Sequence, residues 1–111
     1  MFLVTLTSSC TTNSNNTTNE NQLNFPSRYV GNYIAVQSGR HATITANSIT
    51  IQTADGNVFR NKGNTTLDTQ VMFKSTLNQN EELILLSGNG YLGITMYSNG
   101  NTINSEYYLK Q

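Results

Sequence analysis

Between residue 25 and the C-terminal Gln111, apolar residues fall at every second position in short runs, separated by turn-forming Asn, Gly, Ser and Asp. Period two is the side-chain repeat of a β-strand, and no run carries the three-to-four spacing of an amphipathic helix. A one-residue slip in register moves a whole apolar set to the other face, so each turn can be checked against its neighbours. Asn99-Gly100 is the strongest hairpin signal. A two-residue loop there predicts Met96 opposite Ile103, Ile94 opposite Ser105 and Leu92 opposite Tyr107. A loop at Gly88-Asn89 predicts Leu85 with Leu92 and Leu83 with Ile94. Turns at Ser38-Gly39 and Ala46-Asn47 predict Ala35 with Ala42, Tyr33 with Ile44, Ile44 with Ile49 and Ala42 with Ile51. A three-residue loop at Ala54-Asp55-Gly56 predicts Ile51 with Phe59.

These turns, placed one by one, give a single inner face that starts at Tyr29, Gly31, Tyr33 and Ala35. It continues through the pairs above, takes in Val71 and Phe73, and ends at Tyr107. Residues 61–70 are polar and read as a long connection. The expected fold is all-β: an antiparallel up-and-down meander of about eight short strands in a small closed or nearly closed barrel. At about eight strands, inward side chains just fill a barrel, and closure protects the edges.

Composition agrees. Of 111 residues, 36% are hydrophobic and only 11% charged, so one domain is all the chain can build. Six basic and six acidic residues cancel, leaving no basic stripe for phosphates, and no nucleic-acid partner is expected. One cysteine excludes an internal disulfide.

That cysteine is Cys10. Residues 1–6 are apolar apart from Thr5, and Thr7-Ser8-Ser9-Cys10 follows. The pattern resembles the end of a bacterial lipoprotein signal peptide, which implies cleavage before Cys10 and lipidation of the new N-terminus. The membrane is then a partner, and the address is the cell envelope. Thr11 is not the Asp that retains such proteins at the inner membrane, so the outer membrane is expected in a Gram-negative host. The alternative is an unpaired thiol in a frayed terminus. Residues 11–24 are almost wholly Thr, Asn, Ser, Gln and Glu and read as a disordered tether. The expected division is therefore 1–10 signal remnant, 11–24 tether and 25–111 barrel domain.

Two strands break the polar-outside rule, with Val30, Ile34 and Val36 facing outward on the first and Ile84 and Leu86 on a later one. They are either covered or scattered surface apolars, or a partner surface. The opening Tyr29-Val30-Gly31-Asn32-Tyr33 and closing Tyr107-Tyr108-Leu109-Lys110 resemble small lipocalin-like domains of bacterial lipoproteins. That resemblance implies a barrel, with functions that vary widely. Ser87-Gly88-Asn89-Gly90-Tyr91 resembles the Ser-Gly-x-x-Tyr pattern of membrane-bound lysozyme inhibitors. It implies a loop that enters a lysozyme cleft with Ser87 and Tyr91 as contacts, although Ser-Gly-Asn-Gly is also ordinary turn chemistry.

Catalytic chemistry is not legible. His41 is the only histidine and has no carboxylate at a readable spacing. Glu81 and Glu82 are adjacent and point to opposite faces of a strand. No cofactor, metal site or enzymatic activity is expected. The expectation is a lipid-anchored envelope binding protein whose partner contacts include Ser87, Gly88, Tyr91, Ile34 and Val36. Its partner would be an envelope protein or a small hydrophobic ligand. A lysozyme-type inhibitor and a carrier with a void lined by Tyr29, Tyr33, Ile44, Leu92 and Met96 are the alternatives.

Overall fold

The computed structural model describes residues 21–111; the expected signal remnant with Cys10, and residues 11–20 of the expected tether, lie outside the described residues. Among the described residues, nine strands follow a 3₁₀ turn, Ser27–Tyr29. They are β1 (Gly31–Ala35), β2 (His41–Ile44), β3 (Ile49–Thr53), β4 (Gly56–Arg60) and β5 (Asn64–Asp68), then β6 (Met72–Asn78), β7 (Glu81–Ser87), β8 (Leu92–Ser98) and β9 (Asn101–Lys110). The order across the sheet is β4-β3-β2-β1-β9-β8-β7-β6-β5, antiparallel throughout, and the sheet curls into a half-barrel. First and last strands therefore pair at its centre, with Ala35 opposite Tyr108 and Tyr33 opposite Lys110. The edges are β4 and β5, consecutive in sequence yet not paired with each other.

The ninth strand is β5, inside the stretch that reads as a connection. Four of its five residues are exposed. An edge strand open to water on both sides needs no apolar alternation, so its only sequence trace is the β-branched Thr65-Thr66 pair.

Residues 21–24, polar enough to be assigned to the tether, belong to the domain. Leu23 is buried, its amide donates to the Asn61 carbonyl, and the Gly63 amide donates to the Asn21 carbonyl. The Phe25 amide donates to the carbonyl of Ala46, and the Phe25 and Tyr29 rings pack on Phe73 at 5.3 and 5.9 Å. This segment thus joins the β2–β3 turn, the β4–β5 link and β6, lining the inner side of the open seam. A second tie spans the same gap. Arg60 of β4 donates through Nε and Nη2 to the two carboxylate oxygens of Glu81 on β7, each at 2.8 Å. The pair holds Glu81 below the usual carboxylate range, against the opposing effect of burial. A carboxyl depressed in the folded state adds stability above its ordinary value of 4.5, and that contribution fades as pH falls through the lower folded value. Urea midpoints measured from pH 6 down to about pH 3 should therefore fall more steeply for the natural chain than for Glu81→Gln, which has no such proton to take up.

Turn chemistry decides where the inner face runs. Ile44 pairs with Ile49 and Ala42 with Ile51, as the sequence predicts. The loops at 36–40 and 88–91 are each longer than two residues. Tyr33 consequently faces Ala42, Leu85 faces Ile94 and Leu83 faces Met96. A shift of two leaves each residue on its expected face. At β3–β4 the shift is odd. Thr53 pairs with Gly56 around the two-residue turn Ala54-Asp55, with the Thr53 hydroxyl donating to the Gly56 carbonyl at 2.8 Å. Ile51 then faces Val58, and Phe59, expected inside, is 52% exposed. Val71, also expected inside, is 61% exposed because it lies in the turn ahead of β6. Ser75 and Leu77 continue the inner face below Phe73.

The largest correction is in β9. Asn99 and Gly100 take φ of 52° and 79°, so both central residues are left-handed as a type I′ turn requires. Two pairs later the ladder slips: Tyr97 faces Thr102 but Met96 faces Asn104, leaving Ile103 as the extra residue of a bulge. Beyond it every side chain is inverted. Asn104 and Tyr108 are buried, whereas Tyr107, expected inside opposite Leu92, is 66% exposed. The polar atoms these two residues bury are paired: the Asn104 amide donates to the Ile94 carbonyl at 2.9 Å, and the Tyr108 hydroxyl donates to Asn104 Oδ1 at 3.0 Å. Burial pushes the Tyr108 phenol up from its ordinary value.

A side chain at Gly100 would meet nothing within 4 Å, so substitution there tests backbone strain alone. Gly100→Val should cost about 1–3 kcal/mol for holding a branched residue at positive φ. Thermal and urea melts of the two proteins measure it, and unchanged midpoints would contradict the type I′ assignment.

Candidate functional site

The bulge sets the composition of the outer face. With Tyr108 turned in, Tyr107 stands outside beside Val36, whose amide donates to the Tyr107 carbonyl at 2.9 Å. Tyr107 also pairs with Gly93, and Gly93 with Leu86. One outward row therefore crosses four strands, from Val36 through Tyr107 and Gly93 to Leu86, a span of roughly 15 Å at the usual strand spacing. The two apolar strands that broke the polar-outside rule lie on either side of β9 and β8. Neither is adjacent to the other in the sheet; the row between them is what connects them.

Gly93 leaves room in the middle of this row for the ring of Tyr107. A Cβ built there would lie 3.4 Å from Tyr107 Cε1 and 3.5 Å from Leu86 Cβ, so the tyrosine ring leans over the bare backbone of the glycine. At one end lies the 88–91 loop. It is closed by the Gly88 amide donating to the Tyr91 carbonyl at 2.8 Å, with Gly90 at φ 85°. The result is a half-open groove of about 690 Å³, within the range typical of small-ligand clefts. Gly88, Asn89 and Tyr91 line it from the loop, and Thr95 and Ser105 line it from the sheet beside Gly93 and Tyr107.

Of the partner contacts expected from sequence, the groove brings together Gly88, Tyr91 and Val36. Ser87 is exposed at the end of β7 but is not part of the lining, and its amide is used by the Val71 carbonyl. Ile34 is half-buried on the outer face, opposite Leu109 and outside the groove. Tyr107, Gly93, Thr95 and Ser105 line the groove but escape sequence reasoning. An unbulged hairpin puts Tyr107 in the core, and nothing local announces the bulge. The Tyr107-Tyr108 doublet opposite Gly93 is the one available hint, since a glycine in a strand often marks the close approach of another group.

Three pairs of charged side chains are engaged structurally, one of them the Arg60–Glu81 pair already described. Glu106 Oε2 accepts from the Ser38 hydroxyl at 3.0 Å and lies 3.9 Å from Arg40 Nη1. Asp68 pairs with Arg28 at 2.8 Å, and Arg28 also donates to the Thr69 carbonyl. His41 is exposed, its backbone amide donating to Gln52 Oε1. Glu81 and Glu82 do face opposite sides of β7, the first buried in its ion pair and the second half-buried. Among the described residues, no group of three or more His, Cys, Asp or Glu side chains is placed to hold a metal ion. Comparison of the chain with protein-family models, with curated proteins and with solved structures finds no match.

Proposed function

We propose that this protein is a lipid-anchored binding module of the cell envelope, lipocalin-like in build and without catalytic activity. It is held at the membrane through Cys10 and engages its partner through the outer groove. One observation carries the reading. A groove with exposed aromatic walls forms where the 88–91 loop meets the apolar outer row, and sheet topology assembles it from four strands and a loop. Exposed aromatic and aliphatic side chains around a hollow are the usual makings of a recognition surface. The polar stretch after Cys10 suits a spacer between anchor and domain.

The anchor is tested by mass spectrometry of the native protein from its host, which should show an acylated N-terminal Cys10; an intact Met1 or an unmodified soluble chain would refute it. The surface is tested by placing a photocrosslinker at Asn89 in envelope preparations and competing with the unlabelled chain. Capture abolished by Leu86→Asp supports the groove, and capture indifferent to that change refutes it.

The inhibitor reading draws support from the exposure of all five residues from Ser87 to Tyr91. A lysozyme activity assay with the natural chain and Tyr91→Ala separates it from the general binding reading. A carrier of small hydrophobic ligands finds less support, because Tyr29, Tyr33, Ile44, Leu92 and Met96 all belong to one buried core cluster.

A further inference from the structure

The groove's lining speaks to the chemistry of what it holds. Its one charged side chain, Glu106, is already matched by Ser38 and Arg40. A phosphate, a nucleic acid or a charged peptide would find no free counter-charge there. What remains is neutral and two-natured. Tyr91 (48% exposed) and Tyr107 offer aromatic surfaces, the latter steadied by its contact with Gly93. Around them stand the Gln37 and Asn89 carboxamides, which make no hydrogen bonds to the described residues, and the Thr95 and Ser105 hydroxyls, 3.3 Å apart. Each hydroxyl keeps acceptor capacity beyond their mutual contact, and each carboxamide offers two donors and an acceptor.

A pyranose ring has the complementary layout: an apolar C–H face, which packs on an aromatic ring, and a rim of hydroxyls that needs both donors and acceptors. A purely apolar ligand would leave the amides and hydroxyls desolvated without partners, at a cost. We propose that the groove is a glycan site, taking a short stretch of neutral oligosaccharide with sugar rings seated on Tyr91 and Tyr107. The amides and hydroxyls that line the groove beside these rings bind its hydroxyl rim. This rests on the reading that the groove is the binding surface.

The test titrates the full chain, followed by amide NMR shifts, with chitotetraose, cellotetraose and maltotetraose, and with inorganic polyphosphate as the charged probe. At least one neutral tetrasaccharide should bind saturably and shift amides of residues 88–95 and 105–107, with affinity unchanged between low and high salt. Tyr91→Ala and Tyr107→Ala should each weaken it about tenfold or more. Tyr107→Phe, which keeps the ring, should retain binding, as should Tyr97→Ala, an exposed tyrosine outside the groove. Circular dichroism confirms that each variant is folded. Absence of saturable binding to all three sugars, preference for polyphosphate, or indifference to both tyrosine truncations would overturn the proposal. If the sugars fail while groove-dependent crosslinking at Asn89 persists, the glycan assignment alone falls; if both fail, the groove is not the binding surface.

Discussion

Replacing Tyr108 with Ala is expected to remove about 3–5 kcal/mol of stability, and the same change at Tyr107 less than about 1 kcal/mol. The residues are neighbours of identical chemistry, so the contrast reads out the bulge at Ile103 and little else. Tyr108 is fully buried and its hydroxyl completes the hydrogen bonding of Asn104. Truncation would open a ring-sized cavity and leave the Asn104 carbonyl oxygen without that donor, two costs that add. Tyr107 loses only its contact over Gly93. Against a total stability of about 5–14 kcal/mol for a domain of this length, the first loss is a large share of the whole and the second is near measurement error. Urea denaturation of the two variants decides. Equal losses, or a larger loss at Tyr107, would restore the unbulged register.

Ile44→Asp is expected to unfold the domain, while Thr43→Asp leaves it folded with a small change in midpoint. Ile44 lies in the core opposite Ile49, and Thr43 is on the other face, its hydroxyl donating to Asn32 Oδ1 at 3.1 Å. A carboxylate at position 44 has no cation among its core neighbours, so it either stays charged in an apolar site or takes up a proton there. Both are costly by several kcal/mol. At position 43 water solvates the charge, and the loss is one side-chain hydrogen bond, about 1 kcal/mol. Far-UV circular dichroism at neutral pH should show lost strand signal for the first variant only. If the two behave alike, the facing of β2 is wrong.

Parity along the individual strands was legible because burying one face of a sheet forces alternation, and most runs carry it plainly. Ile44, Ile49 and Ile51 lie inside, as do Leu83, Leu85, Ile94 and Met96, even where the loop length differed from the one assumed. Errors of two residues cancel by symmetry of the pleat, so counting from Gly88 or Ser38 was forgiving. Errors of one do not cancel. Phe59 and Tyr107 were lost to single-residue differences, one in a turn and one in a bulge, and each inverts everything beyond it on its strand.

Local sequence therefore determines most of the strands and the type I′ turn at Asn99-Gly100, because each depends on a few neighbouring residues and their intrinsic geometry. Tertiary structure alone decides the pairing of β1 with β9, since contact between the ends of a chain leaves no mark in either local pattern. It also decides the bulge. Whether Tyr107 or Tyr108 turns inward depends on which ring fills the space left by β8 and the rest of the core, and on Asn104 reaching the Ile94 carbonyl. The groove follows from both. Val36, Tyr107 and Leu86 lie on strands far apart in the chain, and only the closure of β1 on β9 and the extra residue at Ile103 set them in one row around Gly93.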